Sequence, residues 1–179
     1  MPLDLKLLKG IWHEVARFPK SSAVNCLTVE FPESASRELK IKLSYVSHIG
    51  RKVKRAEDTA TFPMDALTNN SIFQTTYQMR DMKTFLRYVV VYNDYLNLSL
   101  VCGISPITPS VMVKMFSRNK TMDSKIKDLV NQQLEKTPLK RGFMWLDNSN
   151  CDRAICINVS PRIILTLTIA FALLNQYTT

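Results

Sequence analysis

The chain has 179 residues, 46% of them apolar, and a formal net charge of +9. Length and apolar share fit one globular domain with a sizeable core. The charge does not indicate a nucleic-acid binder, which gathers its basic residues into one stripe with interleaved aromatics. The only dense basic run, Arg51-Lys52-Val53-Lys54-Arg55, is interrupted by Val53 and followed at once by Glu57 and Asp58. It reads as an exposed strand edge that discourages pairing, with at most a weak attraction to anionic membrane surfaces.

In chain order, residues 10–18 alternate as a strand, entered at Gly10 and stopped by Pro19. Trp12, Glu14, Ala16 and Phe18 are expected on one face, His13, Val15 and Arg17 on the other. Residues 24–31 form the next extended run, ended by Pro32, and residues 39–46 alternate cleanly. Gly50 marks a turn into a polar strand over 51–61, and 63–70 is a loop. Further strands are expected over 72–79, 85–92, 96–103 and 111–116, with the Ser105-Pro106 and Thr108-Pro109 pairs forcing a loop before the last. Eight short strands at about ten-residue spacing suggest a meander that closes on itself. A helix over about 123–136 follows, with Asp123 as N-cap and Ile126, Leu129, Val130 and Leu134 on its apolar side. Pro138 ends it, and 141–146 reads as a short ninth strand. The pattern predicts a barrel with one flanking helix.

Three short blocks carry a resemblance. Gly10-Ile11-Trp12 resembles the first Gly-x-Trp block of the lipocalins, and the continuation Glu14-Val15-Ala16-Arg17-Phe18-Pro19 is close to the apolipoprotein D and insect Lazarillo branch. Asn93-Asp94-Tyr95 stands where that family has Thr-Asp-Tyr, and Phe116-Ser117-Arg118 stands where it has a Ser-Arg or Ala-Arg pair before a helix. The likeness runs over roughly residues 8–152. It implies an all-β fold: an eight-stranded antiparallel up-and-down barrel with one flanking α-helix and a short ninth strand. It also implies that Arg118 lies across the Trp12 indole at the closed end, a structural cation–π contact. Gly10, Asp94 and Tyr95 belong to the same end as turn residues.

A barrel of eight strands is wide enough for one small ligand, and the resemblance favours a cavity over a filled core. Strand parity identifies its lining. Counting back in twos from Asp94 brings Tyr92, Val90 and Tyr88 inward; counting back from Arg118 brings Phe116, Lys114 and Met112 inward. The middle strands add Ile41, Leu43, Tyr45, Phe73 and Tyr77. Such a wall suits an apolar body with one polar end, of the fatty acid, sterol, retinoid or tetrapyrrole class. Lys114 stands out, because a buried lysine without a partner costs several kcal/mol or loses its proton. It meets a ligand carboxylate, turns outward at a bulge, or pairs with a neighbour such as Glu14.

The four cysteines allow three pairings, and no Cys-x-x-Cys spacing points to a metal. The resemblance implies the pair Cys26 and Cys151 and leaves Cys102 and Cys156 unassigned. Sequons at Asn69, Asn97, Asn119 and Asn158, together with the cysteines, favour an oxidising, extracellular compartment. Residues 1–9 are no signal peptide, so a secreted chain is expected to begin further upstream. The barrel domain is expected over 1–152 and a hydrophobic tail over 153–179. The apolar run 163–174 is too short to span a membrane; with the small polar stretch 147–150 and a spacer it matches a glycosylphosphatidylinositol attachment signal. Attachment at Asn148, Ser149 or Asn150 would remove Cys151 and exclude its pairing with Cys26; the other reading of the tail is a helix packed on the barrel. With His13 and His48 the only histidines and no nucleophile–base pair, no enzyme, metal or cofactor is expected. The expected function is extracellular binding and transport of a small hydrophobic ligand. The other candidate is an anchored surface protein that recognises a protein partner through its open-end loops.

Overall fold

The computed structural model describes residues 3–35, 37–49, 52–63, 71–79, 82–104 and 111–151, with backbone alone for residues 48, 49, 52, 53, 75–79 and 82–86. Eight strands follow one another: β1 Gly10–Phe18, β2 Val24–Phe31, β3 Glu38–Ile49, β4 Lys52–Pro63, β5 Ile72–Met79, β6 Met82–Asn93, β7 Leu98–Ile104 and β8 Val111–Ser117. They lie in the order β4-β3-β2-β1-β8-β7-β6-β5, every ladder antiparallel. Pairing of β1 with β8 joins the two ends of the meander and curls the sheet into the expected eight-stranded barrel. The seam falls between β4 and β5, which lie close together; no ladder joins them among the described residues.

The β3–β4 hairpin is longer than its sequence pattern suggests. It pairs without a break from Glu38 opposite Pro63 to Ile49 opposite Lys52, so the polar run from Lys52 onward is half of a continuous ribbon, and Pro63, expected to begin a loop, is its last residue. The strand expected over 96–103 starts only at Leu98, because a turn takes up the preceding residues. Asp94 Oδ1 accepts from the backbone N–H groups of Leu96, Asn97 and Leu98 at 2.7–3.0 Å. This is the local Asx chemistry that makes aspartate a turn residue.

A short helix that the sequence pattern did not suggest, α1 Leu5–Leu8, precedes β1 and is capped by Asp4. The longer helix α2 is Ser124–Leu134, with Asp123 Oδ1 accepting from Lys125 N at 2.8 Å and Ile126 N at 3.4 Å. A 3-10 turn, Pro138–Gly142, leads to β9, which is only Met144–Trp145 and pairs with β1. Two clusters of buried side chains result. One lines the interior of the barrel around Leu27, Val29, Leu39, Ile41, Phe62, Phe73 and Val90. The other lies outside it under α2, around Val15, Ala16, Met115 and Met122. Ile126 and Val130 of α2 reach that outer cluster, but Leu129, expected beside them, is 61% exposed. No residue of α2 is fully buried. The helix covers the barrel with one narrow stripe.

Sequence parity fails at one point of β1. The β1–β8 register slips between Glu14 and Ala16, leaving Val15 as the extra residue of a bulge. A bulge puts two residues opposite one and reverses the alternation beyond it. Ala16 therefore pairs with Met115 and packs in the outer cluster, while Arg17 pairs with Lys114. The single face expected for Trp12, Glu14, Ala16 and Phe18 ends at Glu14, and Arg17 takes the inner side.

Candidate functional site

The closed end is built first. Trp12 is 1% exposed, and its indole Nε1 donates to Leu8 O at 2.9 Å. Arg118 lies over the ring, its guanidinium carbon 3.9 Å from the centroid. The guanidinium also donates to the carbonyls of Ile11, Leu7, Leu8 and Tyr95 at 3.1–3.4 Å. Burial lowers its pKa from the ordinary arginine value. Gly10 has φ +92°, and a Cβ there would sit 3.3 Å from Arg118 Nη1. Only glycine takes that backbone without strain and leaves room for the guanidinium. Tyr95, also at positive φ, accepts at its hydroxyl from Asp4 N and so ties α1 to the turn after β6. The structure thus brings Gly10, Trp12, Asp94, Tyr95 and Arg118 into one plug.

Above the plug lies a cavity of about 200 Å³. Of the residues expected to line it, Ile41, Leu43, Phe73, Tyr88, Val90 and Lys114 do so, as does Phe116. Three others are placed elsewhere. Tyr92 is 49% exposed and outside. The β6–β7 register slips between Val90 and Tyr92, so Val91 is extra and Tyr92 pairs with Leu100, which packs in the outer cluster. Tyr45 is buried in the inner core but off the cavity, beside a polar groove with Cys26 and Arg55; burial, then the nearby Asp58, raises its pKa. Met112 lies opposite Gly103 near Tyr88 but does not reach the cavity wall. The Tyr77 side chain lies outside what is described.

The sequence reading missed the rest of the wall: Leu8, Trp12, Leu27, Val29, Phe31, Ala60, Phe62, Ser99 and Val101. Leu27, Val29 and Phe31 carry a clean period of two that signals an inner face. Trp12, read as structural alone, is both plug and cavity floor. Leu8 sits on a four-residue helix too short to leave a periodic signal.

Polar chemistry in the barrel concentrates at one place. Glu14 is 0% exposed, yet it is held between two cations. Arg17 Nη2 donates to its Oε2 at 2.5 Å, and Lys114 Nζ lies 3.1 Å from its Oε1. Arg17 Nη1 also donates to Val24 O at 2.6 Å and Ser21 O at 3.2 Å. Lys114 therefore points inward and pairs with Glu14, one of the outcomes its parity left open.

Cys26 and Cys151 form a disulfide, as the resemblance implied. It ties β2 to the segment after β9, where Asn148 is buried and donates through Nδ2 to Glu14 O and Lys120 O. Cys102 is a free thiol whose pKa is raised by burial. Asn97 and Asn119 are exposed near the plug, whereas Asn69, Asn158, Cys156 and the tail 152–179 lie outside the described residues. Among the described residues no group of His, Cys, Asp and Glu is placed to hold a metal ion.

No family model and no curated protein matches the chain. Solved structures do match. Insecticyanin from the tobacco hornworm Manduca sexta superposes with a TM-score of 0.60 at 19% identity, over 83% of this chain and 82% of that one. The amine-binding protein of Rhodnius prolixus, in complex with tryptamine, gives 0.60 at 16% identity over 87% and 86%. Apocrustacyanin C2 gives 0.58 at 14% identity over 83% of each chain. At these identities the likeness is one of fold, and the fold is that of the lipocalins.

Proposed function

We propose that this chain is an extracellular lipocalin that binds and carries a small hydrophobic molecule in the barrel lumen. The observation that supports it best is the cavity itself. It is walled by aliphatic and aromatic side chains from seven strands and floored by Trp12, and its only charged lining residue among those described is Lys114. A packed core would fill such a space, since interiors tolerate few voids larger than a water molecule. The tryptamine complex of the Rhodnius prolixus protein is a precedent for a small molecule held by this fold. The Cys26–Cys151 pair supports a place on the apolipoprotein D and Lazarillo branch and, with exposed sequons at Asn97 and Asn119, a secreted chain. It also bears on anchoring. Cleavage at Asn148, Ser149 or Asn150 would detach Cys151 from its partner, so any lipid anchor belongs beyond Cys151.

The reading has a direct test. Organic-solvent extraction of protein purified from a eukaryotic secretion host should release a lipid or pigment detectable by mass spectrometry. Fatty acids or retinoids added back should change the emission of Trp12 at the cavity floor. Protein that releases nothing and whose emission does not respond to either class would overturn the carrier reading. It would favour recognition through the loops instead.

A further inference from the structure

We infer that the lumen selects ligands with an acidic head group over the corresponding amines, and that Lys114 is the residue that meets that head. This rests on lumen binding as proposed above. The Glu14, Arg17 and Lys114 side chains form one cluster of two cations and one carboxylate, so one positive charge is left over. The carboxylate is fully buried and faces both cations, so it offers nothing to a ligand. Arg17 is committed as well, to Glu14 and to the carbonyls of Ser21 and Val24. The surplus therefore appears at Lys114, the cluster's one member on the cavity wall, with 27% of its side chain exposed. An ammonium carries three donors, and Glu14 occupies one side of this one.

The surroundings make that charge matter. The rest of the wall is almost wholly apolar, and an uncompensated charge on a wall of low polarity interacts strongly with whatever enters. Besides Glu14, Asp58 stands on the inner face by register, opposite Leu43. It is off the cavity wall, and its Oδ1 accepts from Thr59 N at 2.8 Å. A ligand carboxylate at Lys114 would complete neutralisation of the cluster and form a charge-assisted hydrogen bond, with the apolar body lying over Ile41, Phe62 and Trp12. A ligand ammonium would add a third cation. The site thus has the opposite head-group preference from one built for amines.

Matched ligands test this with the full chain. Decanoic acid, decanol and decylamine are titrated by calorimetry into delipidated protein at about pH 7.5, where acid and amine are both ionised. The acid should bind about tenfold tighter than the alcohol, equivalent to about 1.4 kcal/mol, and the amine should bind weakest. Lys114→Met should bring the acid down to the affinity of the alcohol and leave the alcohol unchanged, because Glu14 keeps Arg17. Lys114→Arg should retain the acid preference. Binding of all three without acid preference, or an acid preference that survives in Lys114→Met, overturns the inference and leaves the carrier reading standing. Binding of none overturns both. The wild-type comparison decides the matter even if a variant fails to fold.

Discussion

At the scale of single residues, the plug shows how three weak signals become one structure. Gly10 is needed because β1 begins at positive φ beneath a guanidinium. Trp12 is needed because a large flat ring closes the floor and still has a polar atom, which finds Leu8 O. Arg118 is needed because a planar fork can cover that ring and satisfy four carbonyls at once, which a lysine cannot do. Gly10→Ala should therefore destabilise the protein by about 1–3 kcal/mol, from backbone strain and a displaced guanidinium together. Urea denaturation followed by Trp fluorescence measures it. A midpoint equal to wild type would show that the closed end does not depend on that backbone. These residues were legible as motifs, and Asp94 also as turn chemistry, because each contact is reached within a few residues or by a motif of fixed partners.

At the scale of elements, most strands could be read because alternation of apolar and polar residues is local. β1, β2 and β5 have the expected bounds, and the β3–β4 ribbon extends past its pattern because a hairpin continues while both partners can pair. The helix start was readable for the same local reason, since Asp123 satisfies N–H groups two and three residues on. α2 is only 11 residues long, buries no side chain fully and meets the barrel through Ile126 and Val130, so a marginal helix needs its cap as well as that contact. Asp123→Ala should cost about 1 kcal/mol and lower the helical signal in circular dichroism. No change in either would mean that docking alone holds α2. The bulges at Val15 and Val91 were not readable. An extra residue is accommodated only where the partner strand leaves a gap in its ladder, and that is a property of the pair.

At the scale of the whole molecule, the disulfide does what no local element can. Cys26 and Cys151 lie 125 residues apart in sequence, so their bond closes nearly the whole described chain into one loop. In the chain-entropy account a loop of this length contributes about 5 kcal/mol. Cys151→Ser, which leaves β1–β9 and α2 intact in sequence, should lower the stability by that order in urea denaturation. A loss below about 1 kcal/mol would mean that the unfolded chain is already compact without the bond. The acid-reading cluster also belongs to this scale. Glu14 and Arg17 come from one strand and Lys114 from another nearly a hundred residues later, and they meet because β1 and β8 close the barrel.

The sequence by itself determined the eight strands of the meander, which residue starts the helix and, through the family resemblance, the plug and the disulfide. Each of these follows from interactions over a few residues or from a motif whose partners come as a set. The turns expected at Gly50, over 64–70 and at the two X-Pro pairs 105–106 and 108–109 lie outside the described residues. Strand parity found nearly half of the lumen wall, and only the tertiary structure decided where that parity breaks. A period of two carries no memory across an extra residue, so one bulge sends Ala16 out and Arg17 in, and another sends Tyr92 out. Charge balance inside the barrel depends on the first of these slips, which brings Arg17 to the side of Glu14, and that slip is not written in the strand that carries it.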